Sequence, residues 1–155
     1  MYGTPRFPTW TYLASPIKVG DTTLTLSQNI DWKVGETIAI ASTSFFHTEA
    51  ERKTITAVNG NTLTVDSPFI NKHASVVEQY GSSDLLKMSA EVGLLTRNIK
   101  MMGDPTSVAG QYGSHLMIAG QAANGAEGHV AYTEFSQCGQ PGILGRYCIH
   151  FHMNG

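Results

Sequence analysis

Thr54-Ile55-Thr56-Ala57-Val58-Asn59-Gly60-Asn61-Thr62-Leu63-Thr64-Val65-Asp66 decides the fold class. Polar and apolar residues alternate on both sides of Asn59-Gly60, and a period of two is what a strand with one buried face requires. Asn and Gly both tolerate the left-handed backbone of a tight turn, so the stretch reads as a β-hairpin. Upstream, Thr22-Thr23-Leu24-Thr25-Leu26-Ser27 alternates in the same way, and Glu36-Thr37-Ile38-Ala39-Ile40-Ala41-Ser42 is a more apolar strand candidate. The intervening Asp31-Trp32-Lys33-Val34-Gly35 reads as a turn in which Gly35 supplies a positive φ and Trp32 a core anchor. Up to Asp66 the chain is expected to be mostly antiparallel β.

Composition agrees. Charged residues make up 14% of the 155 residues, against roughly 25% in ordinary soluble domains, and 16 glycines accompany many Thr, Ser and Asn. That balance favours strands and turns over surface helices. The one helix candidate is Ser82 to Met88, and Glu49-Ala50-Glu51-Arg52-Lys53 reads as a solvated turn or strand entry. A formal net charge of -2 gives no basic excess for capturing nucleic acid. No window reaches the roughly 18 consecutive apolar residues of a membrane-spanning helix, so no membrane insertion by this segment is expected. Met1-Tyr2-Gly3-Thr4-Pro5-Arg6 lacks the regions of a signal peptide, which a secreted form would carry upstream.

From Glu91 the texture changes. Short apolar runs recur without hairpin turns, at Val92 to Leu95, Ile99 to Met102, Leu116 to Ala119, Val130 to Phe135 and Cys148 to Met153, separated by glycines and by Asn124-Gly125. One strand per step with polar corners between is the pattern of a solenoid. The spacing of these runs is uneven, and no repeat length is assigned. The expected fold class is all-β, antiparallel hairpins leading into the start of a single-stranded parallel β-helix. Residues 1–90 are expected to form the first part and 91–155 the first rungs.

Gly145-Arg146-Tyr147-Cys148-Ile149-His150-Phe151-His152-Met153-Asn154-Gly155 carries the densest set of functional side chains. His150 and His152, two apart on a strand, project from one face. Neutral imidazoles so placed can share a divalent metal or contact a glycan, with Arg146 as a further binding residue. A metal needs a third ligand, from Asp104, Glu134, His115 or His129. The plainer alternative is that the histidines pack in a rung and hydrogen-bond to backbone. Apart from such a metal, no cofactor is implied.

Asp104 and Glu134 are the carboxylates to test as a glycosidase pair, since such enzymes hold two acids roughly 5 to 9.5 Å apart across the scissile bond. Against that role, Asp104 precedes Pro105 and suits a turn, while Glu134 shares a face with Tyr132 and could simply meet water. Trp10, Tyr12, Trp32, Phe45 and Phe46 could stack on sugars, although aromatics on strands are usually core. Cys138 and Cys148 flank a loop containing Pro141 and three glycines, flexible enough for a bridge; two buried thiols are the alternative.

Ala90-Glu91-Val92-Gly93-Leu94-Leu95-Thr96-Arg97-Asn98-Ile99, followed by Gly145-Arg146-Tyr147-Cys148-Ile149-His150-Phe151-His152, resembles the family of fibrocystin-L and the cell-migration-inducing hyaluronan-binding protein. Asp31-Trp32-Lys33-Val34-Gly35-Glu36, Ile40-Ala41-Ser42-Thr43 and Gly3-Thr4-Pro5-Arg6 add to the resemblance, which spans most of the chain. Cys148 departs from the pattern, standing where Pro or another small residue is expected. The resemblance implies a segment between a G8 domain and parallel β-helix repeats, cut from a longer protein at the cell surface or outside the cell. That setting favours the Cys138–Cys148 bridge. It implies a structural role or binding to a glycan, a matrix polymer or other protein chains. The alternatives are part of a hyaluronan-depolymerising glycosidase and a component of a self-assembling surface filament.

Overall fold

The computed structural model describes residues 1–120 and 127–152. Asn124-Gly125 and Met153-Asn154-Gly155 lie outside the described residues. The chain divides into two compact units, one of residues 6–96 and one of residues 1–5 with 97–155. The boundary expected after residue 90 therefore falls after Thr96, because the strand at Glu91–Leu94 is hydrogen-bonded inside the first unit.

The unit of residues 6–96 is built on a six-stranded antiparallel sheet. Its strands are β1 (Trp10–Tyr12), β2 (Thr23–Thr25), β3 (Thr37–Ile40), β4 (Glu51–Asn59), β5 (Thr62–Val65) and, after a separate hairpin, β8 (Glu91–Leu94). They lie in the order β1-β8-β3-β4-β5-β2. The two end strands are then tied together beyond their ends: Leu13 bridges Leu26, Ala14 N–H donates to Thr25 O at 2.8 Å, and Ser27 N–H to Tyr12 O at 2.9 Å. The sheet thus curls round into a small barrel without a long free edge. Alternating residues point inward, and Leu13, Leu26, Ile38, Ile40, Ile55, Leu63 and Val92 are all 0–2% exposed.

The β4–β5 hairpin forms, with its turn one residue beyond the Asn59-Gly60 expected from the sequence, because Asn59 pairs with Thr62. Its two loop residues are Gly60 and Asn61, Gly60 at φ 61°, and the Asn61 amide donates to Leu26 O at 2.6 Å. The Asp31–Gly35 turn is also present. Gly35 sits at φ 87°, Trp32 is buried with its indole N–H on Pro8 O at 2.8 Å, and Arg6 grips Glu36 and Asp31. This part of the family-like motif is therefore structural.

The expected helix at Ser82 to Met88 is instead half of a hairpin, β6 (Ser75–Tyr80) against β7 (Asp84–Ser89). Leu85, Leu86, Lys87 and Met88 suit a helix, but Gly81 at φ 64° turns the chain back and register pairing with β6 follows. Most of this hairpin is exposed on both faces.

The second unit is a parallel solenoid. Its strands are β9 (Ile99–Met102), β10 (Leu116–Ala119), β11 (Thr133–Ser136) and β12 (Ile149–His152), with a one-turn helix α1 (Ser107–Gly110) between β9 and β10. β9 pairs with β11 and β10 with β12, both in parallel register. The strands start 17, 17 and 16 residues apart, so two half-turns of about equal length make each coil. A regular repeat exists where the apolar runs alone looked uneven, because Val92 to Leu95 belongs to the barrel and the Val130 run begins before its strand.

Ile99, Met101, Leu116 and Ile118 lie on one face of their strands and are half-buried, while Lys100, Met102, Met117 and Ala119 alternate with them and are exposed. Residues 1–5 join this unit: Tyr2 bridges Ala131 in parallel, and Thr4 N–H donates to Asn98 Oδ1 at 2.6 Å.

Candidate functional site

β12 presents the histidine pair as the strand pattern predicts. His150 stands opposite Met117 and His152 opposite Ala119 across the parallel ladder, which puts both imidazoles on the outward face. Tyr147, His150 and His152 form a row, with ring centroids 5.2 and 5.1 Å apart and edge-to-face geometry. His150 Nδ1 lies 2.7 Å from Gly145 O, a carbonyl that can only accept, so that nitrogen carries a proton. Among the described residues, no group of three or more His, Cys, Asp or Glu could hold a metal ion. Neither His115 nor His129 joins the pair: His115 packs by Tyr112, and His129 meets Glu127.

Cys138 and Cys148 form a disulfide with Cα atoms 4.8 Å apart. It closes the loop that leads into β12. Arg146 lies inside that loop, where its carbonyl accepts from Gln140 N–H at 2.8 Å and its own N–H donates to Ile143 O. Its exposed side chain enters no ion pair with a described residue.

The two carboxylates have other occupations. Asp104 Oδ1 accepts from Thr106 N–H at 2.8 Å and Thr106 Oγ1 at 2.7 Å, and from Ser107 Oγ at 3.3 Å. The Thr106 hydroxyl, then its backbone N–H, holds the Asp104 carboxyl below the usual range. A general acid needs the opposite shift. Glu134 stands opposite Lys100 in the β9–β11 ladder and pairs with its ammonium at 3.1 Å.

The barrel contains groups that composition did not reveal. Glu51 and Lys53, read from the sequence as solvated, are 6% and 7% exposed, and His73 is 0% exposed. Glu51 and Lys53 alternate with Ile55 on the inward face of β4, a period-two signal that places them with the core rather than in water. Glu51 lies 3.0 Å from Lys53 Nζ and 3.2 Å from His73 Nε2, and accepts from the N–H groups of Ile70 and Asn71. Burial alone would raise the Glu51 carboxyl, but the Ile70 and Asn71 N–H groups, with Lys53 and His73, bring it below its ordinary value. Lys53 also donates to Pro68 O at 2.8 Å and stands over the Phe69 ring. The cluster is fully partnered and reads as a structural clasp.

Beside that clasp, on the barrel surface, is a cavity of about 520 Å³. Ile17 and Val19 give it an apolar wall, Thr43 and His73 contribute further lining, and Lys18 and Lys72 stand at it. The walls are stitched together. Ile17 and His73 exchange backbone hydrogen bonds at 2.9 and 3.1 Å, and Ala74 N–H donates to Thr43 Oγ1 at 2.9 Å. Asp21 is taken up by the Lys18 N–H, and neither ammonium forms an ion pair with a described residue.

Of the aromatics, Trp32 is buried in the core. Trp10 and Tyr12 share a face of β1 with centroids 5.3 Å apart, and Phe45 and Phe46 are exposed at 5.6 Å.

A curled antiparallel unit followed by parallel coils of two half-turns defines an all-β protein of the β-helix class. Residues 111–155 match the CEMIP beta-helix family model. Over 99% of its length the chain is 31% identical to a G8 domain-containing protein of Dictyostelium discoideum, and over its whole length 29% identical to Fibrocystin-L of Homo sapiens. The chain is similar to these G8/CEMIP-like proteins along its whole length. It spans 13% of the first relative and 4% of the second. Among solved structures, the tailspike gp49 of Pseudomonas phage LKA1 aligns over 59% of this chain and 15% of its own, with TM-score 0.40 and 18% identity. Among the described residues, no helix is long and apolar enough to cross a membrane.

Proposed function

We propose that this chain is the scaffold and glycan-binding segment of a larger G8/β-helix protein at the cell surface or outside the cell. Its ligand is an acidic polysaccharide such as hyaluronan. The observation that carries the reading is the barrel cavity, lined by Ile17 and Val19 and by Lys18 and Lys72, neither of which forms an ion pair with a described residue. Ammonium groups attract carboxylates, and an apolar wall suits the C–H faces of sugar rings. The Cys138–Cys148 bridge is in keeping with an oxidising compartment.

The test is titration of the chain with hyaluronan oligosaccharides, followed by backbone NMR. Shifts at residues 16–19 and 72–74 are expected, weakening with salt. Lys18→Ala with Lys72→Ala should raise Kd by roughly tenfold or more. If hyaluronan, chondroitin and heparin oligosaccharides all leave these residues unmoved, the reading fails. A depolymerising activity would need a general acid other than Asp104, whose hydrogen bonds favour the ionised form.

A further inference from the structure

The solenoid has a second cavity, of about 210 Å³, at the corner where α1 meets the next coil. It is set between two stretches of chain held in fixed register. Ser114 bridges Cys138 in parallel, Gly113 N–H donates to Gly139 O and Gly139 N–H to Ser114 O, both at 2.9 Å. The Cys138–Cys148 disulfide forms part of one wall. Gly113 is obligatory here, because a Cβ would fall 2.0 Å from Gln137 O. The two walls are thus held in register by backbone hydrogen bonds and the disulfide.

What lines this corner is unusual. Gln111 and Gln137 both line it, and both hold the left-handed conformation at φ 49° and 46°, which side-chain-bearing residues rarely adopt. Each presents a primary amide that can donate and accept, and neither side chain hydrogen-bonds to a described residue. Tyr112 adds a half-exposed ring, steadied by the edge of His115 at 5.5 Å, and Val108 and Pro141 extend the apolar wall. Among the described residues, no Asp, Glu, Lys or Arg lines the cavity.

We infer that this corner is a subsite for one uncharged sugar ring, a neutral hexose or N-acetylhexosamine within a glycan. Adjacent hydroxyls, or an acetamido group, are paired donors and acceptors that match two amides, while the ring's C–H face matches tyrosine and proline. A volume below the roughly 300 to 1,000 Å³ of drug-sized pockets suits a single ring. The absence of a charged lining residue sets it apart from the lysine cavity of the barrel, which takes an acid. The inference rests on the glycan reading above and names a different unit and a different sugar chemistry.

The experiment uses the full chain and three probes, methyl β-N-acetylglucosaminide, methyl β-glucoside and methyl β-glucuronide, titrated by NMR. Either neutral glycoside is expected to shift the Gln111 and Gln137 side-chain amides and the Gly113 and Gly139 backbone amides. The glucuronide should bind at least about tenfold more weakly. Tyr112→Ala should raise Kd about tenfold. Gln137→Asn, which keeps a residue tolerant of the left-handed backbone while withdrawing the amide, should weaken binding with the rung amides unmoved. Lys72→Glu should change nothing at this corner. The inference is overturned if no neutral glycoside moves these amides, if the glucuronide binds equally well, or if the shifts survive both Tyr112→Ala and Gln137→Asn. Hyaluronan shifts persisting at residues 16–19 and 72–74 would then show that the subsite alone had failed; their absence would remove both readings.

Discussion

The barrel and the solenoid solve the same problem with different means. In the barrel, a sheet closed on itself puts nine leucine, isoleucine and valine side chains below 3% exposure and has enough low-dielectric interior to enclose three ionisable groups. In the solenoid, only Gly3, Ser107 and Gly113 are buried among the described residues. Its apolar residues are half-buried, and order comes from parallel ladders, tight glycine corners and one disulfide. The difference is between a unit held by its core and a unit held by its backbone. Both tryptophans, Trp10 and Trp32, lie in the barrel, so tryptophan fluorescence reports that unit and backbone amide exchange in β9–β12 reports the other.

The hardest test of this contrast is Glu51→Ala. It strands the Lys53 ammonium in the barrel interior and should cost about 3–5 kcal/mol in tryptophan-monitored urea unfolding. A loss below about 1 kcal/mol would show that the clasp is not buried in solution. The same carboxyl gives a pH dependence. Its folded value lies below the ordinary 4.5, so its contribution is present above pH 4.5 and is lost as pH falls through the lower, folded value. Glu51→Gln should flatten that acid limb; an unchanged acid limb would assign it to another group.

Next in size is a matched pair of truncations. Ile40→Ala in the barrel should cost about 2–5 kcal/mol, whereas Met101→Ala in the solenoid, starting half-exposed, should cost roughly 1 kcal/mol. Equal losses would erase the distinction between the units. Reducing Cys138–Cys148 should then remove about 2–3 kcal/mol from the solenoid by freeing its loop. Amide exchange in β10 and β12 should quicken while the tryptophan transition stays in place, and a shift of that transition would mean that the bridge supports the barrel too. Smallest of all, Lys100→Ala should change solenoid stability by less than about 1 kcal/mol, since its pair with Glu134 is largely open to water. A larger loss would show that outward ion pairs, as well as ladders, hold the coils.

The barrel was the more legible half. Alternation around Leu24, Ile38, Ile55 and Leu63, with glycine at positions 35 and 60, is local information, and the strands formed where it lies. The clasp was hidden because Glu51, Arg52 and Lys53 resemble any charged turn. Only the step of two from Glu51 through Lys53 to Ile55 hints at burial, and the partner His73 comes from a distant segment. Leu85 to Met88 misled because a local helical preference yielded to the turn at Gly81 and pairing with β6. In the solenoid, strand positions could be read but the coil length could not, since Val92 to Leu95 imitates a rung. The histidine pair was placed on one face correctly. The lysine cavity and the glutamine corner were invisible, because each is made by segments that only the folded chain brings together.

The hydrogen bond from Thr4 to Asn98 has a consequence for how such a protein can be assembled and altered. The point where the chain leaves the solenoid and the point where it returns are next-door neighbours, so all of Arg6–Thr96 is an insertion between two adjacent positions of the coil unit. Closing a loop depends only weakly on its length. The coils therefore need no particular insertion to keep their register, and one barrel could be exchanged for another, carrying a different binding face, without rewinding the coils.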